Sequence, residues 1–185
     1  MSFQRTDLFD SSKFDRGAPL YKEILWHVCK SLFFLTSIPW PSTLKRNLLV
    51  LFGAKIGPFF YIRPRVNIHF PWKFRAGRHC WIGDRCEILN LEPVVFGDYV
   101  ALAHDVYIAA ASHDISSISM KYKNAPIFIQ DSVWIATRAF IGAGVTIGVN
   151  SVVGACCPIF RDIPPNTVVT FKSHLHTRPR SIHRL

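Results

Sequence analysis

Near the end of the chain six apolar residues recur at a strict spacing of six: Ile129, Ile135, Ile141, Ile147, Val153 and Ile159. A helix repeats its apolar positions every three or four residues and a half-buried strand every two. A sustained period of six therefore predicts short strands stacked in coils, an all-β solenoid of hexapeptide repeats. Four residues beyond each anchor stands a small or β-branched residue, namely Val133, Ala139, Val145, Ser151, Cys157 and Ile163. Anchor and companion both point inward on this reading, and stacking buries the anchors in continuous columns. Gly142, Gly148 and Gly154 follow three of the anchors, where a chain turning a corner favours a residue free to take positive φ.

The same register, less regular, runs upstream through Ile56, Ile62 and Ile68, then Ile82, Cys86 and Ile88, then Phe96, Val100, Leu102, Val106 and Ile108. It is interrupted twice, by the aromatic and basic stretch His69 to Cys80 and by Ala109 to Pro126. Insertions in a solenoid become loops on one face, which is commonly the functional one.

Ahead of the coils the periodicity changes. Leu20, Ile24, Leu25, Val28, Leu32, Phe33 and Leu35 have helical spacing, with Pro19 suited to the first helical position and Pro39 and Pro41 ending the segment. Ser42 is placed as the N-cap of a second helix through Leu44, Leu48, Leu49 and Phe52, closed by Gly53. An open β-helix needs its end covered, and these helices can do that. The other reading is an amphipathic anchor lying on a membrane, with Trp26 and Trp40 at headgroup level; the segment is too short and too charged to span one. The division predicted is 1–53 for the helical segment, 54–168 for the β-helix and 169–185 for a basic tail.

At 185 residues with 49% hydrophobic content, one domain with a short appendage can bury a substantial core. Five cysteines without paired spacing or a secretory signal argue against a disulfide framework and place the protein in the cytoplasm, with contact at the inner membrane surface left open. Cys157 falls in an inward slot, so the pair Cys156 and Cys157 reads as packing. The net charge of +10 favours anionic partners such as phosphate-bearing cofactors, acidic saccharides or lipid. No nucleic-acid-binding motif is present in the sequence.

His113, in the run Ala-Ala-Ser-His-Asp, opens the longer insertion. An imidazole on a loop carried by a rigid scaffold can take a proton from a hydroxyl or amine near neutral pH. Ser112-His113-Asp114, Pro126 to Ile129, Val133-Trp134-Ile135, Gly142 to Gly148 and Asp162 to Asn166 together resemble the hexapeptide-repeat acyltransferases. More narrowly, Leu51 to Gly57, Ile62 to Ile68, Trp81-Ile82-Gly83 and Asn90 to Val94 are similar to the colanic acid biosynthesis acetyltransferases. The resemblance runs from about Leu20 to Asn166.

That resemblance implies a left-handed parallel β-helix assembled as a homotrimer with its active sites between subunits. It implies acetyl-CoA as donor, a saccharide hydroxyl as acceptor, and direct transfer without an acetyl-enzyme, in the synthesis of a surface polysaccharide. By position, it makes His113 the catalytic base, Asn90 an acceptor contact, Trp134 an aromatic beside the donor arm, and Thr137, Ala155 and Arg161 lining for the coenzyme, with no metal. The chain departs from the pattern after its Pro-Pro turn. Val169 to His176 stands where relatives carry a Gly-Asn-Pro-Ala-Lys type segment along the coenzyme, and Phe171 replaces a glycine that permits close approach. Asp114 is next to His113, but adjacent side chains seldom face one another, so what orients the imidazole is not legible. Two alternatives carry their own signatures. A non-catalytic structural β-helix would account for the altered tail. A metal-dependent carbonic anhydrase on the same solenoid requires a close histidine pair in the loop, and His113 has no histidine five residues on.

Overall fold

The computed structural model describes residues 3–10, 12 and 14–171. Two helices, α1 (Leu20–Phe33) and α2 (Ser42–Leu51), precede a parallel β-solenoid with three sheets as its faces. The first sheet stacks Lys55–Ile56, Phe74–Ala76, Val94–Phe96, Ile127–Ile129 and Thr146–Ile147. The second stacks Tyr61–Ile62, Trp81–Ile82, Ala101–Leu102, Trp134–Ile135, Val152–Val153 and Val168–Val169. The third stacks Asn67–Ile68, Glu87–Leu89, Tyr107–Ala109, Phe140–Ile141 and Pro158–Ile159. In-register pairing places Ile62, Ile82, Leu102, Ile135 and Val153 in one buried column, with Tyr61, Trp81 and Trp134 outward on the same sheet. The expected anchors and companions are buried. Each coil is filled by its own side chains, as an alternating strand facing a dry interior requires.

The upstream irregularity has a simple cause. From the third sheet back to the first the step is eight residues in the first two coils, Ile68 to Ala76 and Ile88 to Phe96, against six from Ile141 to Ile147 in the coil after the long insertion. The stretch His69 to Cys80 is therefore not a loop. It is a longer corner containing a turn of 3₁₀ helix (Pro71–Lys73) followed by a strand in register with both neighbours.

The glycines after the anchors differ from expectation. Left-handed φ falls instead three residues beyond an anchor, at Phe59, Arg65, His79, Arg85, Tyr99, Asp105, Ser132, Arg138, Asn150 and Cys156. Gly142, Gly148 and Gly154 do not have positive φ, and their role is to admit the next coil. Bulky residues in the left-handed region are strained, and here they stack on one another. Phe59, His79 and Tyr99 form an aromatic column with ring centroids 4.5 and 5.2 Å apart. At the next corner Arg85 pairs with Asp105 at 2.7 Å. Burial pushes the Cys86 thiol up to about 12 and the Cys80 thiol to about 11, so both cysteines are core residues and poor nucleophiles.

The helices cover the open end of the first coil. Trp26 is buried and its indole N–H donates to the carbonyls of Ile68 and His69, at 3.1 and 3.0 Å. It anchors α1 to the solenoid, which corrects its expected place at a lipid headgroup. Trp40 is half-buried against Phe33, with ring centroids 5.2 Å apart. Ser42 is the first residue of α2 and not its cap; its hydroxyl exchanges hydrogen bonds with the backbone of Ile62. Lys45, on the buried side of α2, donates its amine to the Arg63 carbonyl at 3.0 Å, and burial lowers its pKa.

Candidate active site

The longer insertion leaves the third sheet after Ala109 and rejoins the first at Ile127. It folds back on itself: the Asp114 N–H donates to the Lys121 carbonyl and the Lys123 N–H to the Ser112 carbonyl, both at 2.8 Å, which sets His113 opposite Tyr122 as an antiparallel pair. The two rings stack, with centroids 5.2 Å apart and planes at 23°. Asp114 closes a turn, its Oδ1 accepting from the Ser116 N–H and hydroxyl at 2.9 and 2.6 Å.

His113 Nδ1 lies 2.6 Å from the Met120 carbonyl oxygen. A carbonyl can only accept, so Nδ1 carries the proton and the Nε2 lone pair is left for chemistry. This backbone group fixes the ring and its tautomer. The expected site residues could not include it, because a carbonyl seven positions on has no signature in the sequence.

The first residues of the chain were also outside the expectation. The Arg5 N–H donates to the Ile118 carbonyl at 2.9 Å, and the Gln4 side chain donates to the Ser117 carbonyl at 3.3 Å. Phe9 then meets His113 and Tyr122 edge-on, at 5.4 and 5.1 Å, and Phe14 reaches Tyr122 at 5.3 Å. The N-terminal segment thus packs over the loop that carries the imidazole and restricts its ring. Two phenylalanines in a polar stretch with no period are the only hint the sequence offers.

A cavity of about 640 Å³ opens beside His113, walled by Ser112, Lys123, Phe140, Gly142 and Phe160. Past Tyr122 a second cleft of about 740 Å³ is lined by Asp10, Phe14, Asp15, Glu92, Lys121 and Asn124. Arg161 is exposed after the last strand of the third sheet, in a shallow depression that shares Phe160 with the His113 cavity. Trp134 is half-exposed on the outer face of the second sheet. Thr137 and Ala155 sit at the corner that follows it, where the Thr137 carbonyl accepts from the Cys156 N–H at 3.0 Å. Of the expected donor-side residues, Trp134, Thr137 and Ala155 therefore occupy a different face of the chain from His113, whereas Arg161 adjoins its cavity. Among the described residues, no group of three or more His, Cys, Asp or Glu is placed to hold a metal ion. His104 lies instead against Asp84, at 3.3 Å.

Asn90 stands apart from all of these. It is fully buried, its Oδ1 accepting from the Phe70 N–H at 2.9 Å and its Nδ2 donating to the Phe70 carbonyl at 2.6 Å. The side chain staples the two eight-residue corners together, and this corrects its expected place against the acceptor. Asn90→Leu strands both Phe70 groups in the interior, so it lowers unfolding free energy by about 2–4 kcal/mol and leaves the acceptor KM unchanged. Denaturant titration and steady-state kinetics on the same preparation check this; a raised KM at unchanged stability would restore the acceptor role.

No protein-family model matches the chain. It is 37% identical over 163 residues to the putative colanic acid biosynthesis acetyltransferase WcaF of Escherichia coli K12, covering 86% of this chain and 88% of that protein. A solved galactoside acetyltransferase in complex with coenzyme A superposes with a TM-score of 0.73 at 27% identity, covering 80% of this chain and 76% of the other. A hexapeptide-repeat acetyltransferase of Vibrio cholerae O1, complexed with acetyl-coenzyme A, does so with a TM-score of 0.68 at 25% identity, over 88% and 90% of the two chains. The shared fold is the left-handed parallel β-helix.

Proposed function

Because the chain belongs to the hexapeptide-repeat acetyltransferases, and among them to the colanic acid biosynthesis acetyltransferases, we propose that it carries acetyl from acetyl-coenzyme A to a saccharide hydroxyl with His113 as general base. The observation that carries this reading is the hydrogen bond from His113 Nδ1 to the Met120 carbonyl at 2.6 Å, which makes Nδ1 the donor and leaves Nε2 as the nitrogen that can accept a proton.

The steps follow from that tautomer. Nε2 accepts the acceptor's hydroxyl proton as its oxygen attacks the thioester carbonyl carbon. The tetrahedral oxyanion collapses, the C–S bond breaks, and the imidazolium returns its proton to the leaving thiolate. An acetyl ester and free thiol result, with no acetyl-enzyme. Throughout, the Met120 carbonyl stabilises the cationic ring by accepting from Nδ1–H, while Phe9 and Tyr122 keep the ring from rotating.

The cavity beside His113 holds the reacting groups. The cleft past Tyr122 suits the rest of the saccharide, since the carboxylates of Asp10, Asp15 and Glu92 accept hydrogen bonds from hydroxyls and would repel coenzyme phosphates. Arg161, exposed near Phe160, suits those phosphates instead. We assign the protein to the cytoplasm, acting on a lipid- or nucleotide-linked intermediate of a surface polysaccharide.

The trimer supplies what one chain lacks. His113 and the Trp134, Thr137 and Ala155 group lie on different faces, so a working site takes its base from one subunit and its donor wall from the next. Two singly inactivated chains, His113→Ala and Trp134→Ala, are co-assembled to test this. Random mixing regenerates about one intact site in four, read as acceptor-dependent thiol release from acetyl-coenzyme A across a panel of saccharides. No recovery in a verified mixed assembly would place both residues in sites within one chain.

A further inference from the structure

Helix α1 turns most of its aliphatic residues away from the solenoid. Leu20, Tyr21, Ile24, Leu25, Val28 and Leu32 are each between 53 and 67% exposed. On a helix of 3.6 residues per turn they form one continuous face. The side turned to the solenoid carries the helix's charges: Lys30 is 6% exposed, Glu23 is paired with Arg16 at 2.6 Å, and the Lys22 amine sits over the Trp72 ring, 5.1 Å from its centroid. Leu35 and Ile38, just past the helix, extend the exposed apolar surface. A contiguous patch of this kind on a folded protein marks a surface meant for contact.

Charge identifies the contact. Residues 16–78, the helical cap, the first coil and the opening of the second, hold eleven of the chain's 22 lysines and arginines but only one of its 12 acidic residues, Glu23. The whole net charge of +10 therefore resides in this stretch, and the remainder of the chain balances. Within this stretch, Lys55, Arg65 and Arg75 are exposed. A second copy docked through this end would bring two strongly positive caps together, at an electrostatic cost. A surface that combines a hydrocarbon boundary with negative headgroups answers both features.

We propose that α1 seats the protein on an anionic membrane surface, its aliphatic face in the headgroup–acyl boundary and the cap's cations among the headgroups. The helix lies on the bilayer: among the described residues none is long and apolar enough to cross it. The inference rests on the cap alone and stands whichever acceptor the active site takes.

The test is flotation of the full chain with vesicles of phosphatidylcholine, with and without 30% phosphatidylglycerol (about one anionic lipid in three, enough for a marked surface potential). The chain floats with the anionic vesicles about tenfold more than with the neutral ones, and added salt weakens this. Leu25→Glu/Val28→Glu, both at exposed positions, abolishes flotation without changing the melting temperature or the assembly's size. Lys55→Glu/Arg75→Glu lowers binding to anionic vesicles alone. Failure of the wild-type chain to float would overturn the proposal. So would a smaller assembly in the Leu25→Glu/Val28→Glu variant, which would make this face a contact between copies.

Discussion

His113→Ala lowers kcat for acetyl transfer by about 100- to 10,000-fold, the usual worth of a positioned general base. KM for acetyl-coenzyme A stays within about twofold, because the imidazole acts on a proton in flight and not on the bound donor. Stability changes little: His113 is half-buried on a loop, and its removal uncovers one face of Tyr122 without opening the coil. A second variant separates base from spacer. His113→Asn keeps a polar side chain of similar reach toward the Met120 carbonyl, so the loop closes as before, but an amide cannot accept the proton. Its kcat falls with that of the alanine variant. The measurement is thiol release with saccharide acceptors, wild type against both variants, beside thermal melts and sizing. Equal turnover in all three proteins would remove His113 from the chemistry and revive the reading of a structural β-helix.

The architecture was legible in the sequence because one physical demand, filling a narrow coil, recurs every six residues and is met by the same kinds of side chain. Ile129 through Ile159 state it without error, and Val133 or Ala139 repeat it at the second inward position. Ala76 also occupies an anchor position in the first sheet, yet a methyl carries too little hydrophobic weight to be noticed among Phe74, Arg75 and Gly77. The corners were misread for a related reason. Left-handed φ is expected to select glycine or asparagine, but here Phe59, Tyr99 and Arg85 take it, supported by partners one coil away. Such support is long-range, and no local preference reports it.

The site was legible only in part. A histidine opening the one real insertion could be found from spacing, whereas its orienting group is a main-chain carbonyl and the residues packed on it and on Tyr122, Phe9 and Phe14, lie about a hundred positions away. Asn90 shows the opposite failure: a polar residue in a matching position is buried with its amide fully engaged by Phe70. The departed tail lies, beyond Phe171, outside the described residues. All of the predicted basic tail but its first three residues lies outside with it.

Gly148→Ala is expected to cost as much stability as any substitution at the coil corners. A Cβ there would stand 2.4 Å from the Pro165 nitrogen and 2.7 Å from the Pro164 carbonyl carbon. Both are backbone atoms of the last coil, held in place by the Ile163 pairing to the first sheet and by the Gly148 N–H donating to the Ile163 carbonyl at 2.8 Å. Neither can yield as a flexible side chain would, so the coil must lift and the hydrogen bond lengthen. The expected loss is about 2–4 kcal/mol, at the upper end of what overpacking costs. Gly144 provides the contrast. Its φ is +83°, and an added Cβ would meet only Ala125, at 3.4 Å. Gly144→Ala therefore pays for backbone conformation alone, about 1 kcal/mol, and Gly144→Asn recovers part of it because asparagine tolerates the left-handed region. At Gly148 asparagine is no better than alanine, since the obstacle is space. Urea titrations of the four variants distinguish the two causes. Recovery by asparagine at both positions would mean that conformation, and not the approach of the neighbouring coil, is what glycine provides at Gly148.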